Sequence, residues 1–386
     1  MFNSSPPSQK QPSSGIWFTL ITLLFLVIGA TVSDALGPTN PSDRYRPKKQ
    51  AIPTSTSILS AASDTKSNFD NRASIMSSET SSAVKIDGKA IAKDMRAEIK
   101  TTVDEMVEKG QPVPGLAVVL VGSRRDSMTY VNMKKKACAE AGIHSVGYDF
   151  DESVTQEELL ECIDKLNKDD SIHGILVQLP LPKHLDQDAV IRAVDSNKDV
   201  DGLHPINVSN LQLWTGPALE APFSIPCTPL GCLVLLDKSG VDLKGKSCVV
   251  IGRSNLVGLP MARLLLGRDA TVTICHSKTV DIANVCKKAD VVVAAVGRAE
   301  MVKSDWIKPG AVVIDVGINS VDVVPSKPGG KPYKLVGDVD TKDVETVASQ
   351  ITPVPGGVGP MTIAMLLFNT LQSCRHITEQ RAKEQS

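Results

Sequence analysis

The chain has 386 residues, 42% hydrophobic and 22% charged, with 42 Lys and Arg against 43 Asp and Glu, for a formal net charge of −1. That length and apolar content suit two or three folded domains, and the balanced charge gives no sign of a nucleic-acid partner. The one block of like charge in the folded region, Lys134-Lys135-Lys136, reads for the most part as a solvated helix face.

Residues 1–83 stand apart. Ile16 to Val32 carries no charge, and it is longer than the ~7–15 residues of a signal-peptide core yet shorter than the ~20 of a membrane span. Ser33-Asp34-Ala35 offers small residues for cleavage. From Gly37 to Ala83 the chain is rich in Ser, Thr, Pro and Asn and poor in large apolar side chains, a composition expected to stay disordered. Two readings follow. Either a leader is cleaved after delivering the protein to an organelle interior, plastid or mitochondrion, or residues 16–32 anchor it to a membrane. All 8 cysteines fall between Cys138 and Cys374, in no C-x-x-C spacing, and read as reduced core thiols. Reduced thiols favour a reducing organelle over the secretory lumen.

Folded sequence begins near Val84. Lys89 to Glu108 has helical periodicity, with Ile91, Met95, Ile99, Val103 and Met106-Val107 expected inward. Leu116 to Val121 is a buried strand ending at Gly122. A helix follows through Ala141, with Gly142 as its C-cap. Tyr130 and Lys134 share one face of it, a pattern that alone fits an ordinary surface helix. Ile143 to Phe150 is a strand, Gln156 to Leu166 a helix and His173 to Val177 a strand. The prolines of Gln178-Leu179-Pro180-Leu181-Pro182 cannot continue a ladder, so Gln178 is set at the strand's carboxyl edge. Asp186 to Val194 is a short helix. Asp199 and Asp201 precede Gly202, but no further oxygen ligands accompany them, so a turn or a single ligand contact is expected rather than a metal.

The most informative stretch is Lys246 to Pro260. Ser247 to Ile251 is a strand, Gly252 allows a sharp turn and Gly258 allows a helix to begin close to whatever lies in that turn. Strand, elbow and helix N-terminus aim N–H groups at one point, as in dinucleotide pyrophosphate sites. Ala270 to Cys275 then ends in His276-Ser277-Lys278. No carboxylate is there for a ribose 2′-hydroxyl, whereas Arg253 and Lys278 bring positive charge, which points to NADP over NAD. Asp290 to Val296 stops at Gly297, and Ala311 to Val316 at Gly317. The pattern is α/β, with a parallel sheet and a ligand crevice along its carboxyl edge.

Several longer motifs share this order. They are Asp126-Ser127-x-x-Tyr130-Val131-x-x-Lys134, Gly174 to Pro182, Lys198-Asp199-Val200-Asp201-Gly202, and Pro226-Cys227-Thr228-Pro229-x-Gly231. Val250 to Pro260, His276-Ser277 and Thr352 to Thr362 complete the set. In order and spacing, residues 84 to 375 resemble the bifunctional methylenetetrahydrofolate dehydrogenase/methenyltetrahydrofolate cyclohydrolase family.

The resemblance implies two α/β domains with a cleft between them, in a homodimer. Residues 84–226 would be a folate-binding catalytic domain, completed by a returning C-terminal helix at 358–375. Residues 227–357 would be a Rossmann-like NADP-binding domain, and 376–386 a tail. It implies NADP-dependent oxidation of 5,10-methylenetetrahydrofolate to the methenyl cation, then hydrolysis to 10-formyltetrahydrofolate in the same cleft, without a metal. Lys134 would be the general acid/base, Gln178 its hydrogen-bond partner, Tyr130 the platform for the aminobenzoyl ring and Asp201 the holder of the pterin edge. Ser127, Leu179, Pro180, Gly356, Gly357 and Pro360 would complete the folate site. Gly252, Arg253, Ser254, Val257, Gly258, His276, Ser277, Gly297, Gly317, Ile318, Gly359 and Thr362 would bind cofactor. A monofunctional relative and a membrane-tethered folate- or NADP-binding protein are the alternatives; keeping both Lys134 and Gln178 speaks against the latter. A short-chain dehydrogenase is set aside, because there the Tyr-x-x-x-Lys pair follows the glycine elbow, and here it precedes it.

Overall fold

The computed structural model describes residues 82–323 and 333–384. The hydrophobic stretch 16–32, the Ser-rich segment up to residue 81 and residues 324–332 lie outside the described residues. Among the described residues no helix is long and apolar enough to cross a membrane, and no cluster of ligating side chains suits a metal ion.

The first sheet grows from sequence runs that are apolar on both faces. β2 (Gly115–Val121) is buried along its whole length. It sits between β3 (His144–Phe150) and β4 (Gly174–Val177), all parallel, in the order β3-β2-β4. Parallel neighbours require crossover helices, supplied by α2 (Arg125–Glu140) and α3 (Gln156–Lys168). α3 starts on a capping box, in which the Thr155 hydroxyl accepts from Glu158 N–H and the Glu158 carboxylate accepts from Thr155 N–H. α4 (Gln187–Ala193) is capped by Asp186, and α5 (Pro205–Leu213) has proline in its first turn.

α1 (Gly88–Glu108) is capped by Asp87, whose carboxylate accepts from Lys89 and Ala90 N–H at 3.0 and 3.1 Å. Its buried stripe is Ala92, Met95, Ile99, Val103 and Met106. The expected inward positions Ile91 and Val107 differ: Ile91 is half-buried, and Val107 is 51% exposed because it lies one step round the helix from Met106.

The second sheet has the order β1-β11-β8-β7-β5-β6. Its parallel strands are β5 (Ser247–Ile251), β6 (Thr271–Cys275), β7 (Val291–Ala294), β8 (Val312–Asp315) and β11 (Gln350–Ile351). β1 (Val84–Lys85) belongs here and not to the first sheet, pairing Val84 with Gln350 and Lys85 with Ile351. A strand of two residues leaves no periodicity to read, so a boundary at 84 hides this crossing. β9 (Asn319–Asp322) and β10 (Tyr333–Val336) form an antiparallel hairpin.

Four further helices complete the chain: α6 (Cys227–Lys238), α7 (Gly258–Leu266), α8 (Ile282–Cys286) and α9 (Thr341–Val344) lead to α10 (Val358–Glu384). α6 is apolar all round and buried from Leu230 to Leu236, as expected of a helix enclosed by others. It packs on α10, which also packs on α1 and α2. One buried cluster therefore runs without a break from Leu116 and Leu176, through Leu235 and Leu366, to Val250 and Ile314. The last helix reaches Glu384, further than the expected 375. All eight cysteines are unpaired and seven are buried, consistent with reduced thiols.

Candidate active site

Parallel topology brings the carboxyl ends of β2 and β4 to one edge, and the first turns of α2 stand over it. Ser127, Val131 and Lys134 fall on one face of α2, and all three are buried. A lysine only 8% exposed needs polar company. Its Nζ donates to Gln178 Oε1 at 3.0 Å, and Gln178 Nε2 donates to the Leu179 carbonyl at 3.0 Å. Two residues 44 apart in sequence are thus joined where the strand ends. The pairing is to a neutral amide, so the lysine is held without a salt bridge to that partner.

Asp201 lies beyond the Ile175–Asp199 bridge that extends this sheet. Burial pushes its carboxyl up to about 6, opposed by the positive charge of Lys134 and by a 3.8 Å contact from the Cys227 thiol. Asp199 is spent on structure, since its Oδ2 accepts from His204 N–H at 2.8 Å and Asn207 Nδ2 at 2.9 Å. Lys198 is buried too and donates to the carbonyls of Leu166, Asn167 and Asp169, closing the end of α3.

Tyr130 links this edge to the start of α10. A methyl group placed on Gly359 would lie 3.9 Å from the Tyr130 hydroxyl and 3.8 Å from Ile318 Cδ1. Tyr130, Ile318 and Gly359, drawn from three distant parts of the chain, therefore meet. A Cβ on Gly88 would run into the Gly357 carbonyl, which packs the 356–357 turn onto the start of α1. Thr362 is partly committed elsewhere, its hydroxyl lying 3.0 Å from that of Thr228.

In the second sheet the elbow has the expected form. Gly252 has φ 130°, open to glycine alone, and a Cβ on Gly258 would lie 2.6 Å from the Gly252 carbonyl carbon. The Ser254 hydroxyl accepts from Val257 and Gly258 N–H at 3.2 and 3.4 Å, which leaves its own hydrogen to donate outward. Arg253 and Ser277 are exposed beside it. His276 braces the turn instead, its Nδ1 accepting from Lys278 N–H at 3.1 Å. Above Gly297, with φ 66°, a Cβ would meet nothing within 4 Å. Close backbone at one end, open space at the other and cations at the rim fit a dinucleotide bearing a 2′-phosphate.

Two buried carboxylates that sequence reasoning did not single out form the floor of this crevice. Asp315 accepts from the N–H groups of Gly317, Asp338 and Val339 at 3.0, 2.9 and 3.0 Å. Burial pushes its carboxyl up to about 7 against those donors. Asp338 accepts from Val296, Gly297 and Arg298 N–H at 2.6, 3.0 and 2.9 Å, and from Asn319 Nδ2 at 2.9 Å. The turns carrying Gly297 and Gly317 are thereby tied together from below. Asn369, beside Asp201, was also missed, and Cys227 entered only as part of the Pro226 to Gly231 motif, with no role of its own. A single Asp or Asn among apolar residues carries no spacing that announces its partner.

Known proteins match this chain across both sheets. Residues 86–201 match the family model described as tetrahydrofolate dehydrogenase/cyclohydrolase, catalytic domain, and residues 226–378 match its NAD(P)-binding domain. The bifunctional protein FolD 2 of Arabidopsis thaliana is 53% identical over 301 residues, 78% of this chain and 98% of its own length. Bifunctional protein FolD 4, chloroplastic, from the same plant is 52% identical over 295 residues, 76% of this chain and 80% of its own. The crystal structure of Trypanosoma brucei methylenetetrahydrofolate dehydrogenase-cyclohydrolase, complexed with NADP and an inhibitor, superposes with a TM-score of 0.71. It is 44% identical, over 76% of this chain and 98% of that one.

Proposed function

Because this chain belongs to the tetrahydrofolate dehydrogenase/cyclohydrolase family, we propose that its two activities are carried out in one cleft organised by the Lys134–Gln178 pair. The protein is a bifunctional enzyme of one-carbon folate metabolism. It oxidises 5,10-methylenetetrahydrofolate with NADP and hydrolyses the methenyl product to 10-formyltetrahydrofolate. NADP, when bound, supplies the oxidation by accepting a hydride from the methylene carbon. Arg253, Ser254 and Ser277 hold its 2′-phosphate end, while the Gly252 and Gly258 backbone accommodates the pyrophosphate. The turns around Gly297 and Gly317 lie under the other end.

The protein's own part in oxidation is positioning. Asp201 takes the adjacent N–H donors of the pterin in the paired manner open to a carboxylate. Tyr130 lies against the aminobenzoyl ring, within reach of the Gly359 turn. Hydrolysis needs more. Water adds to the methenyl carbon and loses a proton, and N5 takes up a proton as its bond to that carbon breaks, while the remaining hydroxyl proton passes to solvent as the formyl C=O forms. Lys134, fixed by Gln178, performs both transfers. The observation that carries the reading is the 3.0 Å bond between a buried lysine and a neutral amide at the edge of the sheet. Residues 78–386, purified and supplied with 5,10-methylenetetrahydrofolate, should reduce NADP faster than NAD and accumulate 10-formyltetrahydrofolate. Accumulation of the methenyl compound alone would mean a monofunctional enzyme.

A homodimer is supported by one face of the second sheet. β6 is an outer strand with Ile274 36% exposed, and the neighbouring α7 leaves Leu259 and Leu266 40% and 57% exposed. Leu213, at the end of α5, is 78% exposed. An open strand edge flanked by leucines is the kind of surface that proteins cover. Leu266→Glu is expected to yield a monomer by light scattering; an unchanged mass would place the interface elsewhere. Delivery to a plastid or mitochondrion is supported by the N-terminal composition and by the chloroplastic relative. A mature N-terminus between residues 33 and 82 is expected, and one before Ile16 would mean an anchor.

A further inference from the structure

We infer that Asn369 is a positioning residue for Asp201, reaching it from the last helix; the inference rests on the reading that Asp201 holds the folate. Asn369 lies on α10 and is 3% exposed. Its Nδ2 donates to the Val200 carbonyl at 2.8 Å and the Ile225 carbonyl at 2.9 Å, and stands 3.6 Å from Cys227 Sγ. Val200 immediately precedes Asp201. Immediately after Asp201, Gly202 has φ 68°, and a Cβ there would lie 2.7 Å from both Ile225 C and Pro226 N. The Cys227 thiol is directed at the Val200 carbonyl at 3.3 Å and at Asp201 Oδ1 at 3.8 Å. The carboxylate is therefore held before and after by one small assembly, and the amide is what fastens it.

The residue type follows from the task. Two carbonyls from segments far apart in sequence face one point, and a planar amide nitrogen carries two hydrogens to satisfy both. Aspartate offers none at neutral pH, serine offers one and leucine offers none. α10 begins at Val358, directly after the Gly356–Gly357 turn, and its Gly359 lies beside Tyr130 and Ile318. The same rigid helix thus fixes both the turn that closes over the reacting groups and the loop that grips the pterin. Asn369 sets the distance between them.

The full chain is assayed as wild type, Asn369→Asp, Asn369→Ser, Asp201→Ala and the Asp201→Ala/Asn369→Ser double variant, each well below its melting midpoint. Asn369→Asp is expected to raise KM for 5,10-methylenetetrahydrofolate about tenfold, and Asn369→Ser about threefold, as one or two hydrogen bonds are lost. KM for NADP should stay within about twofold, a split that general loosening would not give. In the double variant the two effects should not add, because Asn369 acts only through Asp201. Should Asn369→Asp fail to fold, Asn369→Ser, which leaves only a small void, decides the matter. A folded Asn369→Ser enzyme with unchanged folate KM, or effects that add in the double variant, would overturn the inference and leave the amide a structural cross-link. An unchanged folate KM in Asp201→Ala would instead refute the assignment of Asp201 itself.

Discussion

Lys134→Met removes cyclohydrolase turnover by about 10²–10⁴-fold, the range in which a positioned acid/base group contributes, while folate still binds. Methionine suits the test because it fills the volume of the lysine stem without charge in a site where the residue is 8% exposed. What disappears is the group proposed to move protons between water and the substrate nitrogen. Gln178 Oε1 is left without its 3.0 Å donor, a deficit that local water can meet at this half-buried edge. Folate affinity, followed by quenching of protein fluorescence, should change by less than the rate. Hydrolysis is read directly as the disappearance of the methenyl chromophore. A variant that keeps more than about a tenth of its turnover would remove Lys134 from the acid/base role, which implies losses of 10²-fold or more.

Arg253→Ala separates the two nicotinamide cofactors. The side chain is exposed at the elbow, where the proposed reading sets the 2′-phosphate beside the Ser254 and Ser277 hydroxyls. Losing a charge-assisted bond of about 1.5–3 kcal/mol raises KM for NADP by roughly 10–150-fold. NAD carries no phosphate there, and its KM should be nearly unmoved. Because the arginine is exposed, the NADP preference of the wild type should also weaken with ionic strength. Equal effects on the two cofactors would refute the phosphate assignment.

What the sequence disclosed, and what it withheld, follows from the range of each interaction. The Ser247–Ile251 strand, Gly252 and Gly258 are close neighbours, so a local reading recovers the elbow entire. Lys134 and Gln178 are each marked locally, one by its helix and the other by a proline stop. Their meeting depends on β4 lying beside β2, which no local pattern encodes. Asn369 and Asp338 are harder still. Asn369 donates to Val200, 169 residues away, and Asp338 accepts from a turn 40 to 42 residues earlier. Buried polar side chains of this kind earn their place through tertiary partners alone. The two-residue β1 fell below the length at which periodicity can be read.

The earliest backbone pairing in the described chain has a bearing on how the protein is made ready for work. Ala83 N–H donates to the Glu345 carbonyl and Val84 N–H to Ser349, so the polypeptide enters the enzyme by zipping onto the outer margin of the cofactor sheet. If the leader is cleaved as proposed, that pairing would confine the protease to residues upstream of Ala83. A cut only three or four residues further along would strip that margin and release the lead-in to the first helix, where Gly88 abuts Gly357. On that reading, trimming of the leader and integrity of the 356–357 turn would be set against each other across a handful of peptide bonds.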